Sequence, residues 1–338
     1  MLTDKKISIV VACYRDEGSI VELLLRLRNT MQRVSPKWEV IYVNDSSPDN
    51  SERVLLEVVK NNPELTFISH SRNFGAQVAF TTGMLQASGD AVIIMDGDLQ
   101  DPPEIIEQFV ALWLQGFDVV YGIRAKRHEG VVRNFGYKAF YWLFQKIAYV
   151  SIPLDAGEFS LMDRVVVDSI LACSERDRLI RGLRAYAGFR QIGVEFERPK
   201  RFWGESTQSL LDYLMWAYKS FISYSLAPLR LISVLGFAMF GLLFLLLLIY
   251  LISYIMGASA PSGYMTMLSL LLLIGSAIML SLGIIGEYLG RLFLEIKQRP
   301  QPIISLLHND QRAEPRQWLG RMAPRDKQNL IQPQNGRD

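Results

Sequence analysis

Two long stretches with almost no charge constrain the fold of this chain more than any other feature. The first runs from Leu231 to Met256 and the second from Tyr264 to Leu289. Each has about 26 residues, which as a helix span about 39 Å, whereas the hydrocarbon core of a bilayer is roughly 30 Å thick. A segment such as "GLLFLLLLIYLI" has no polar face to present to water, so burial inside a soluble protein explains it poorly. We therefore predict two C-terminal transmembrane helices, 231–256 and 264–289.

The charges around these stretches predict how the chain is oriented in a membrane. The connection "GASAPSG" between them is uncharged, whereas basic residues flank the outer ends: Arg230, Arg291, Lys297 and Arg299. Lysine and arginine are retained preferentially on the cytoplasmic side. The opening residues do not form a signal peptide, because their apolar run is short and charged residues follow it closely. We expect a multi-pass protein of the inner or plasma membrane with both termini and the N-terminal domain in the cytoplasm.

Cysteine content and charge exclude several classes of protein. Cys13 and Cys173 are the two cysteines of the chain, and their spacing indicates neither a disulfide framework nor a metal site. The formal net charge of +2 at pH 7 argues against nucleic acid as the main partner. The chain therefore fits a reducing compartment and a lipid surface better than a secreted or nucleic-acid-binding role.

Apolar strands and amphipathic helices alternate through the first 125 residues. The predicted strands are "ISIVVAC", "WEVIYVN", "LTFIS", "AVIIMD" and "DVVYG". A helical pattern separates each from the next, as at 19–34, where Ile20, Leu23 and Leu27 share one face. This alternation predicts an α/β fold with a mostly parallel, doubly wound sheet. Ligands of such sheets bind at the carboxyl ends of the strands.

The pattern changes beyond about residue 131. Residues 137–150 mix aromatic side chains with lysine, which suits an interfacial helix and equally a helix packed on the sheet. We predict a cytoplasmic domain over 1–206 and a juxtamembrane amphipathic helix over 207–230. Residues 300–338 are polar and contain several prolines, so we expect a flexible cytoplasmic tail there.

A cluster of acids follows the fourth predicted strand in the segment "IIMDGDLQDPPE". Asp96 and Asp98 can face one pocket, because Gly97 between them lets the backbone bend sharply. Carboxylate pairs of this kind suit Mg²⁺ or Mn²⁺, which keep open positions for substrate phosphates. Most Asp-X-Asp pairs in proteins are solvated turns, but the position at a strand's carboxyl end favours a metal site.

Other polar residues fall at the same predicted edge of the sheet. Asp45 ends the second strand, where it can bind a ribose hydroxyl or a base, or can simply cap a helix. Arg72 and Asn73 precede a helix start and can contact phosphate or sugar. Arg124 and Arg133 can neutralise a leaving diphosphate, although each can equally be a surface charge.

A second acidic segment, "DAGEFSLMDR", begins at Asp155. It places an aspartate and a glutamate at the start of an apolar run. Its spacing alone leaves a capping role for Asp155 as open as a functional one.

Together these segments resemble a known family. "ISIVVACYRDEGSI", "VNDSSPDNS", "RNFGAQVAFTTG", "DGDLQDPPE", "DAGEFSLMDR", "FWGES", "APLR" and "GEYLGRLFLEIKQRP" occur in the order found in polyprenyl-phosphate glycosyltransferases. These are membrane-anchored members of glycosyltransferase family 2 with the Rossmann-like GT-A fold, and they include dolichol-phosphate mannose synthase and bactoprenol glucosyltransferases. The resemblance covers residues 7 to about 303.

The resemblance implies inverting transfer of a sugar from a nucleoside diphosphate sugar to polyprenyl (undecaprenyl) phosphate at the cytoplasmic membrane face. A UDP-hexose donor is favoured, and the alternative is a GDP-mannose-dependent polyprenyl-phosphate mannosyltransferase. Residues and resemblance together assign catalysis to Asp155, Asp98 and Gln100, donor binding to Ala12, Tyr14, Glu17, Asp45, Arg72, Asn73 and Asp96, metal binding to Asp96 and Asp98, and phosphate or acceptor contacts to Arg124, Arg133, Arg201 and Ser206. Similar proteins form tetramers, which implies a homo-oligomer.

Two positions depart from the family pattern. Ser46 stands where the family commonly has glycine, which implies an altered turn. In the family a lysine commonly follows the Gly-x-Ser of the juxtamembrane segment, but here Thr207 follows it in "GEST". If that lysine normally contacts phosphate, Arg201 or Lys200 would have to do so instead.

Three other functions fit the sequence less well. A processive polysaccharide synthase would carry a Gln-x-x-Arg-Trp motif, which this chain lacks. A non-catalytic nucleotide-sugar scaffold would be expected to lose its acidic motifs, which are intact. A subunit that moves lipid-linked sugars would need polar residues inside its membrane helices.

Overall fold

An eight-stranded mixed sheet carries the candidate site. The structure is a computed structural model that describes residues 1–124, 156–176, 178–199, 202–203, 227–256 and 263–312. In chain order the strands are β1 Ile7–Cys13, β2 Trp38–Asn44, β3 Leu65–His70, β4 Ala91–Asp96, β5 Val119–Arg124, β6 Ala156–Asp163, β7 Gln191–Phe196 and β8 Ile304–His308.

Strand order and direction confirm a GT-A-like mixed sheet. The order is β7-β5-β6-β4-β1-β2-β3-β8. β4, β1, β2 and β3 are parallel, as the alternation of strands and helices predicts. β6 runs antiparallel to both β4 and β5, and β8 runs antiparallel to β3. Because β6 is reversed, its first residues lie at the edge of the sheet where β4 and β5 end.

Helices cover both faces of the sheet. The helices of the sheet domain are α1 Ile20–Val34, α2 Ser51–Val58, α3 Ala76–Gln86, α4 Ile106–Leu114, α5 Arg164–Ala172 and α6 Ile180–Ala187. Along β1, Ile9 and Val11 join the core under α1, α2 and α4, whereas Val10 joins the core under α3, α5 and α6. All three side chains are fully buried. Burial on both faces explains why the central strands are continuously apolar rather than alternating.

The chain divides into two compact units. All eight strands belong to the first unit. The second contains two long helices, α7 Ala227–Ile255 and α8 Tyr264–Ile296, which coincide with the segments predicted to cross a membrane. Among the described residues, one stretch, Leu273–Ile296 with a mean hydropathy of 1.6, is long and apolar enough to do so. A second membrane span is therefore not confirmed.

The segment expected to be a flexible tail contains the eighth strand. Ile304 and Leu306 of β8 are only 8% and 5% exposed, and Asn309 donates hydrogen bonds to the carbonyls of Pro63 and Leu65. The expectation of a flexible segment is therefore wrong for residues 304–309. The predicted helix 137–150 and the predicted helix 207–230 up to residue 226 lie outside the described residues.

Candidate active site

The carboxylates after β4 lie against the end of β1. Asp96 pairs in register with Ala12, and the N–H of Gly97 donates to the carbonyl of Ala12 at 2.9 Å. A Cβ atom added to Gly97 would lie 3.0 Å from that carbonyl and 3.2 Å from Asp16 Oδ2. Glycine therefore allows this close approach without displacing either neighbour. The backbone turns here and buries the two acids that follow, since Asp98 is 4% and Asp101 1% exposed.

Hydrogen bonds hold this acidic turn in one conformation. The N–H of Gln100 donates to Asp98 Oδ1 at 3.0 Å, and the N–H of Asp96 donates to Asp101 Oδ2 at 3.2 Å. Leu99 between them has a φ of 60°, in the region that costs an L-residue about 1 kcal/mol. Asp101 Oδ1 is buried and has no hydrogen-bond partner among the described residues. An acceptor oxygen without a donor indicates that something else neutralises this cluster.

Two of these acids, Asp96 and Asp101, have raised pKa values. Burial first, and then the charges of Asp101 and Asp98, raise the pKa of Asp96 to about 8. Burial also raises the pKa of Asp101 to about 6, opposed by the charge of Arg124. The raised pKa values mean that the positive charges near these carboxylates do not offset their burial and mutual repulsion. A divalent cation bound between them would do so.

The donor set limits how a metal ion could be held. Among the residues that the structure describes, no group of three or more His, Cys, Asp or Glu side chains is arranged to hold a metal. Magnesium-type sites commonly use one or two carboxylates, and substrate phosphates and water complete the shell. Asp96 and Asp98 fit that second kind of site.

The charge of Asp96 is expected to make the free energy of unfolding depend on pH. Because its pKa is about 8 in the folded protein and ordinarily 3.8, the folded state keeps a proton that the unfolded state releases between these values. The unfolding free energy should therefore fall as the pH rises from about 4 to 8. Without divalent ions, the Tm of the wild type should therefore fall as the pH rises. In Asp96→Asn this fall should be smaller by about 2 °C or more, because an amide does not ionise.

Thermal unfolding of the solubilised chain in EDTA between pH 5 and pH 8, followed by tryptophan fluorescence, measures this difference. Asp168→Asn is the matched control, because its side chain is 63% exposed and its partner Arg164 lies 3.7 Å away. Adding Mn²⁺ should flatten the wild-type slope and leave the Asp96→Asn slope unchanged. An identical dependence of Tm on pH in the wild type and in Asp96→Asn would contradict the raised pKa of Asp96.

Two arginines face the acidic turn from other elements. Arg124 is the last residue of β5, and Arg198 follows β7; the positive charges of both lower the pKa of Asp96. The Nε atoms of both are buried without a hydrogen-bond partner among the described residues. Burial, followed by the charge of Arg124, lowers the pKa of Arg198 itself. The sequence predicted Arg124 but not Arg198, because "ERPKR" does not indicate which of its cations points inward.

The residues after Arg198 lie beside the same turn. The carbonyl of Pro199 accepts from Gln100 Nε2 at 3.4 Å, and the N–H of Phe202 donates to the carbonyl of Asp98 at 3.5 Å. The ring of Trp203 fills the space over Gly18, where a Cβ atom would lie 2.4 Å from it. Pro199 and Phe202 thus lie beside the acidic turn and Trp203 lies beside Gly18, whereas Lys200 and Arg201 are outside the described residues.

Three of the residues predicted to bind the donor, Tyr14, Glu17 and Asp45, lie in loops after β1 and β2. The N–H of Tyr14 donates to Asp16 Oδ2 at 3.0 Å, and the Tyr14 side chain is largely accessible. Glu17 Oε2 accepts from the N–H of Asn50 at 2.7 Å, so the two loops are joined. Ser46 has a φ of 54°, which means that the turn keeps a conformation favoured by glycine even though serine stands there.

Asp45 is buried, and both of its carboxylate oxygens have hydrogen-bond partners within the protein. Its Oδ1 accepts from the N–H of Phe74 at 2.8 Å and contacts His70 Nδ1 at 2.8 Å, and its Oδ2 accepts from the N–H of Gly75 at 2.7 Å. The side chain is 4% exposed. Asp45 therefore holds the loop before α3, and a direct contact with a nucleoside stays a prediction.

The loop held by Asp45 carries Arg72 and Asn73, the two residues predicted to contact the nucleotide-sugar donor. Arg72 and Asn73 are exposed, Arg72 Nη1 donates to the carbonyl of Asn73 at 3.0 Å, and the guanidinium lies 4.0 Å from the ring centroid of Phe74. Four other predicted site residues, Arg133, Asp155, Arg201 and Ser206, lie outside the described residues, and their roles stay predictions. Thr207 lies outside them as well.

Comparisons with known proteins match this chain over most of its length. The family described as "Glycosyl transferase family 2" matches residues 8–171. An uncharacterized glycosyltransferase of Bacillus subtilis, YkcC, is 38% identical over 298 residues, which cover 88% of this chain and 92% of that protein. The bactoprenol glucosyl transferase of Shigella phage SfV is 32% identical over 302 residues, covering 88% and 98%.

Solved structures are more distant. A mannosyltransferase from Pyrobaculum calidifontis in complex with GDP-Man and Mn²⁺ is 21% identical, with a TM-score of 0.42 over 59% of each chain. Glucosyl-3-phosphoglycerate synthase from Mycobacterium tuberculosis is 19% identical, with a TM-score of 0.43 over 64% of this chain and 76% of that one. Likeness at this level carries no information about the ligands of this chain.

Proposed function

Because this chain belongs to glycosyltransferase family 2, we propose that it transfers a hexose from a nucleoside diphosphate sugar to the phosphate of a polyprenyl lipid. The observation that carries the proposal is the 32% identity to proteins named bactoprenol glucosyl transferase over 98% of their length. Those names favour glucose as the sugar and a bactoprenol (undecaprenyl) lipid as the acceptor. The family resemblance favours UDP as the nucleotide.

The acidic turn would hold the donor's diphosphate through a metal. Asp98 and Asp96 would bind Mg²⁺ or Mn²⁺, which when bound acts as a Lewis acid on the leaving diphosphate. Arg124 and Arg198 offer buried Nε–H groups that have no partner among the described residues. Charge-assisted hydrogen bonds from these two donors to phosphate oxygens would offset the negative charge that builds up as the nucleotide leaves.

The acceptor needs little help from a general base. A lipid phosphate with a second pKa of about 6 is already largely ionised near neutral pH. The barrier therefore lies in expelling the nucleoside diphosphate and in sustaining positive charge at the anomeric carbon. Asp155 would orient the sugar and stabilise that charge, and Gln100, next to Asp98 in the acidic turn, would line the pocket. Attack from the face opposite the leaving group gives inversion.

The nucleoside would be held by the loops after β1 and β2. Tyr14 would supply an exposed side chain and Glu17 a half-buried one, and Arg72 and Asn73 would approach from the loop before α3. Asp45 contributes by holding that loop. Arg133, Arg201 and Ser206 would contact the acceptor phosphate.

The membrane segments would bring this chemistry to the lipid headgroups. A polyprenyl chain stays in the bilayer, so its phosphate reacts at the surface and the enzyme must present its pocket there. We propose that 231–256 and 264–289 both span the membrane, that 207–230 lies along the headgroups, and that the domain formed by 1–206 faces the cytoplasm.

A substrate screen tests the proposed function. Membranes containing the chain are incubated with undecaprenyl phosphate and radiolabelled UDP-glucose, UDP-galactose, UDP-N-acetylglucosamine or GDP-mannose, and label in the lipid extract is counted. UDP-glucose should label the lipid at least about tenfold over membranes lacking the chain. Undecaprenol without phosphate is the matched acceptor control and should stay unlabelled. Labelling from GDP-mannose alone would replace glucose by mannose, and no labelling from any donor would refute the transferase assignment.

A further inference from the structure

Ser19 stands immediately before α1, but its hydroxyl does not cap that helix. At this position a serine oxygen ordinarily accepts an N–H group from the first turn and so stabilises the helix. Ser19 makes no such hydrogen bond with its side chain. The residue is fully buried, so its hydroxyl has to find its partners inside the protein. A serine at a helix start that serves another partner points to a role outside the helix.

The hydroxyl of Ser19 lies between two main-chain carbonyls. Its Oγ is 2.6 Å from the carbonyl oxygen of Gly97 and 2.8 Å from that of Asp16. Both partners are acceptors, so the hydroxyl is the donor. The Asp16 carbonyl already receives the N–H of Ser19 at 2.9 Å, whereas no other described residue donates to the Gly97 carbonyl. The shorter distance and this need assign the hydroxyl hydrogen to Gly97.

Gly97 is the residue between the two carboxylates predicted to bind a metal, and it is held through both of its main-chain polar groups. Its N–H donates to the carbonyl of Ala12 at 2.9 Å, and its carbonyl accepts from Ser19 at 2.6 Å. The peptide group that contains this carbonyl leads directly into Asp98. The orientation of that peptide therefore sets the direction in which the chain enters Asp98, and Ser19 fixes it.

The acidic turn needs support from outside because one of its residues is strained. Leu99 has a φ of 60°, and a residue in this region persists only where its surroundings fix it. The hydrogen bonds within the turn join its residues only to one another. The two hydrogen bonds of Gly97 instead attach the turn to β1 and to the start of α1, and so to the loop that carries Tyr14 and Glu17.

We propose that Ser19 is a positioning residue, which donates a hydrogen bond to the carbonyl of Gly97 and thereby holds Asp96 and Asp98 in the arrangement that binds a divalent cation. The use of that cation in sugar transfer rests on the proposed function. The effect of Ser19 on the conformation of the turn does not, because it follows from contacts within the chain.

Amide hydrogen exchange of the full chain in detergent, followed by mass spectrometry, tests the conformational effect without metal or substrate. Ser19→Ala leaves the buried Gly97 carbonyl without a donor, so the amides of residues 97–101 should exchange about fivefold faster or more. Ser35→Ala is the matched control. Ser35 is fully buried at the other end of α1, and its hydroxyl donates to the carbonyls of Lys5 at 2.8 Å and Lys37 at 3.2 Å.

Ser35→Ala loses the same kind of hydrogen bond far from the turn, so exchange at residues 97–101 should stay within about twofold of the wild type. Exchange in Ser19→Ala equal to that in the wild type would overturn the inference. Binding of Mn²⁺ alone, measured from the electron paramagnetic resonance signal of the free ion, tests the cation. Its Kd should rise about fivefold or more in Ser19→Ala and stay within about twofold in Ser35→Ala, even if both variants lose a similar amount of Tm.

Two further variants separate the hydroxyl from the fold. Ser19→Thr keeps the hydroxyl and should return the Kd for Mn²⁺ to within about twofold of the wild type, whereas Ser19→Gly lacks it but is well tolerated at a helix start and should behave as Ser19→Ala. Equal Mn²⁺ affinity in Ser19→Gly and Ser19→Thr, or no saturable binding to the wild type, would overturn the positioning of a cation site.

The transfer assay adds a measurement that a loss of stability alone does not change. Ser19→Ala should raise the Mn²⁺ concentration for half-maximal transfer by the same factor as the Kd, with kcat at saturating Mn²⁺ within about threefold of the wild type. Because hydrogen exchange and Mn²⁺ binding need no substrate, a failed screen of nucleotide sugars would refute the proposed function while the role of Ser19 is still decided by its own measurements.

Discussion

Replacing Asp98 with alanine is expected to lower the rate of sugar transfer at least about 1,000-fold while the chain stays folded. A Lewis acid on a leaving diphosphate contributes several kcal/mol to the transition state, and each ~1.4 kcal/mol is about tenfold in rate. Asp98 is 4% exposed and lies within the electrostatic reach of Asp96, so it is well placed to hold such an ion. Transfer of label from the nucleotide sugar to undecaprenyl phosphate, measured in membranes with Mn²⁺ or Mg²⁺, gives the loss.

Asp98→Asn separates charge from shape. Asp98 Oδ1 accepts the N–H of Gln100, and the amide oxygen of asparagine can accept the same hydrogen bond. Asp98→Asn should therefore keep the wild-type Tm and still lose most of the activity. Asp168→Ala, which removes an exposed carboxylate of the same domain, should keep both. Full activity of Asp98→Ala or Asp98→Asn, with or without EDTA, would rule out the metal role.

The parallel half of the sheet could be predicted because its strands are buried on both faces. "WEVIYVN" coincides with β2, and "AVIIMD" coincides with β4 down to its terminal aspartate. In these strands most residues are apolar, so the local sequence alone is enough to identify them. The reversed strands could not be predicted in the same way. The segments "EFSLMD" and "ISLLH" contain apolar residues typical of strands. They do not indicate the direction of the strand or its partner, because these depend on contacts with residues far away in the chain.

The grouping of the candidate site residues at one edge of the sheet was predictable where these residues end central strands. Asp96, Asp98 and Arg124 follow β4 and β5, and the topology carries them to one edge. Arg198 joins them from a segment about 100 residues later in the sequence, so no local spacing could indicate it. The contacts of His70 with Asp45 and Thr82 were missed for a related reason, because these partners come from the loop after β2 and from α3.

Replacing Asp155 with asparagine is expected to lower kcat about 100-fold or more and to change the donor KM by less than about threefold. Ala156, the next residue, pairs with Ile123 of β5, and a Cβ on Gly157 would lie 3.6 Å from Arg124 Nε. Because β6 is antiparallel to β4, its start is at the edge that bears Asp96. A carboxylate entering there would meet the transferring sugar rather than the nucleoside, so its charge matters most when the anomeric carbon becomes positive.

Steady-state kinetics with varied nucleotide sugar separate the two effects, since removing an interaction made only in the transition state lowers kcat and kcat/KM equally. Asp155→Glu keeps the charge but moves it by one methylene, and it should recover part of kcat that Asp155→Asn does not. Asp168→Asn again serves as the control for the loss of one negative charge from the domain. If Asp155→Asn raised the donor KM by as much as it lowered kcat, the residue would bind the ground-state sugar. The developing charge would then have to be met by another group, for which Gln100, also predicted to be catalytic, is the candidate.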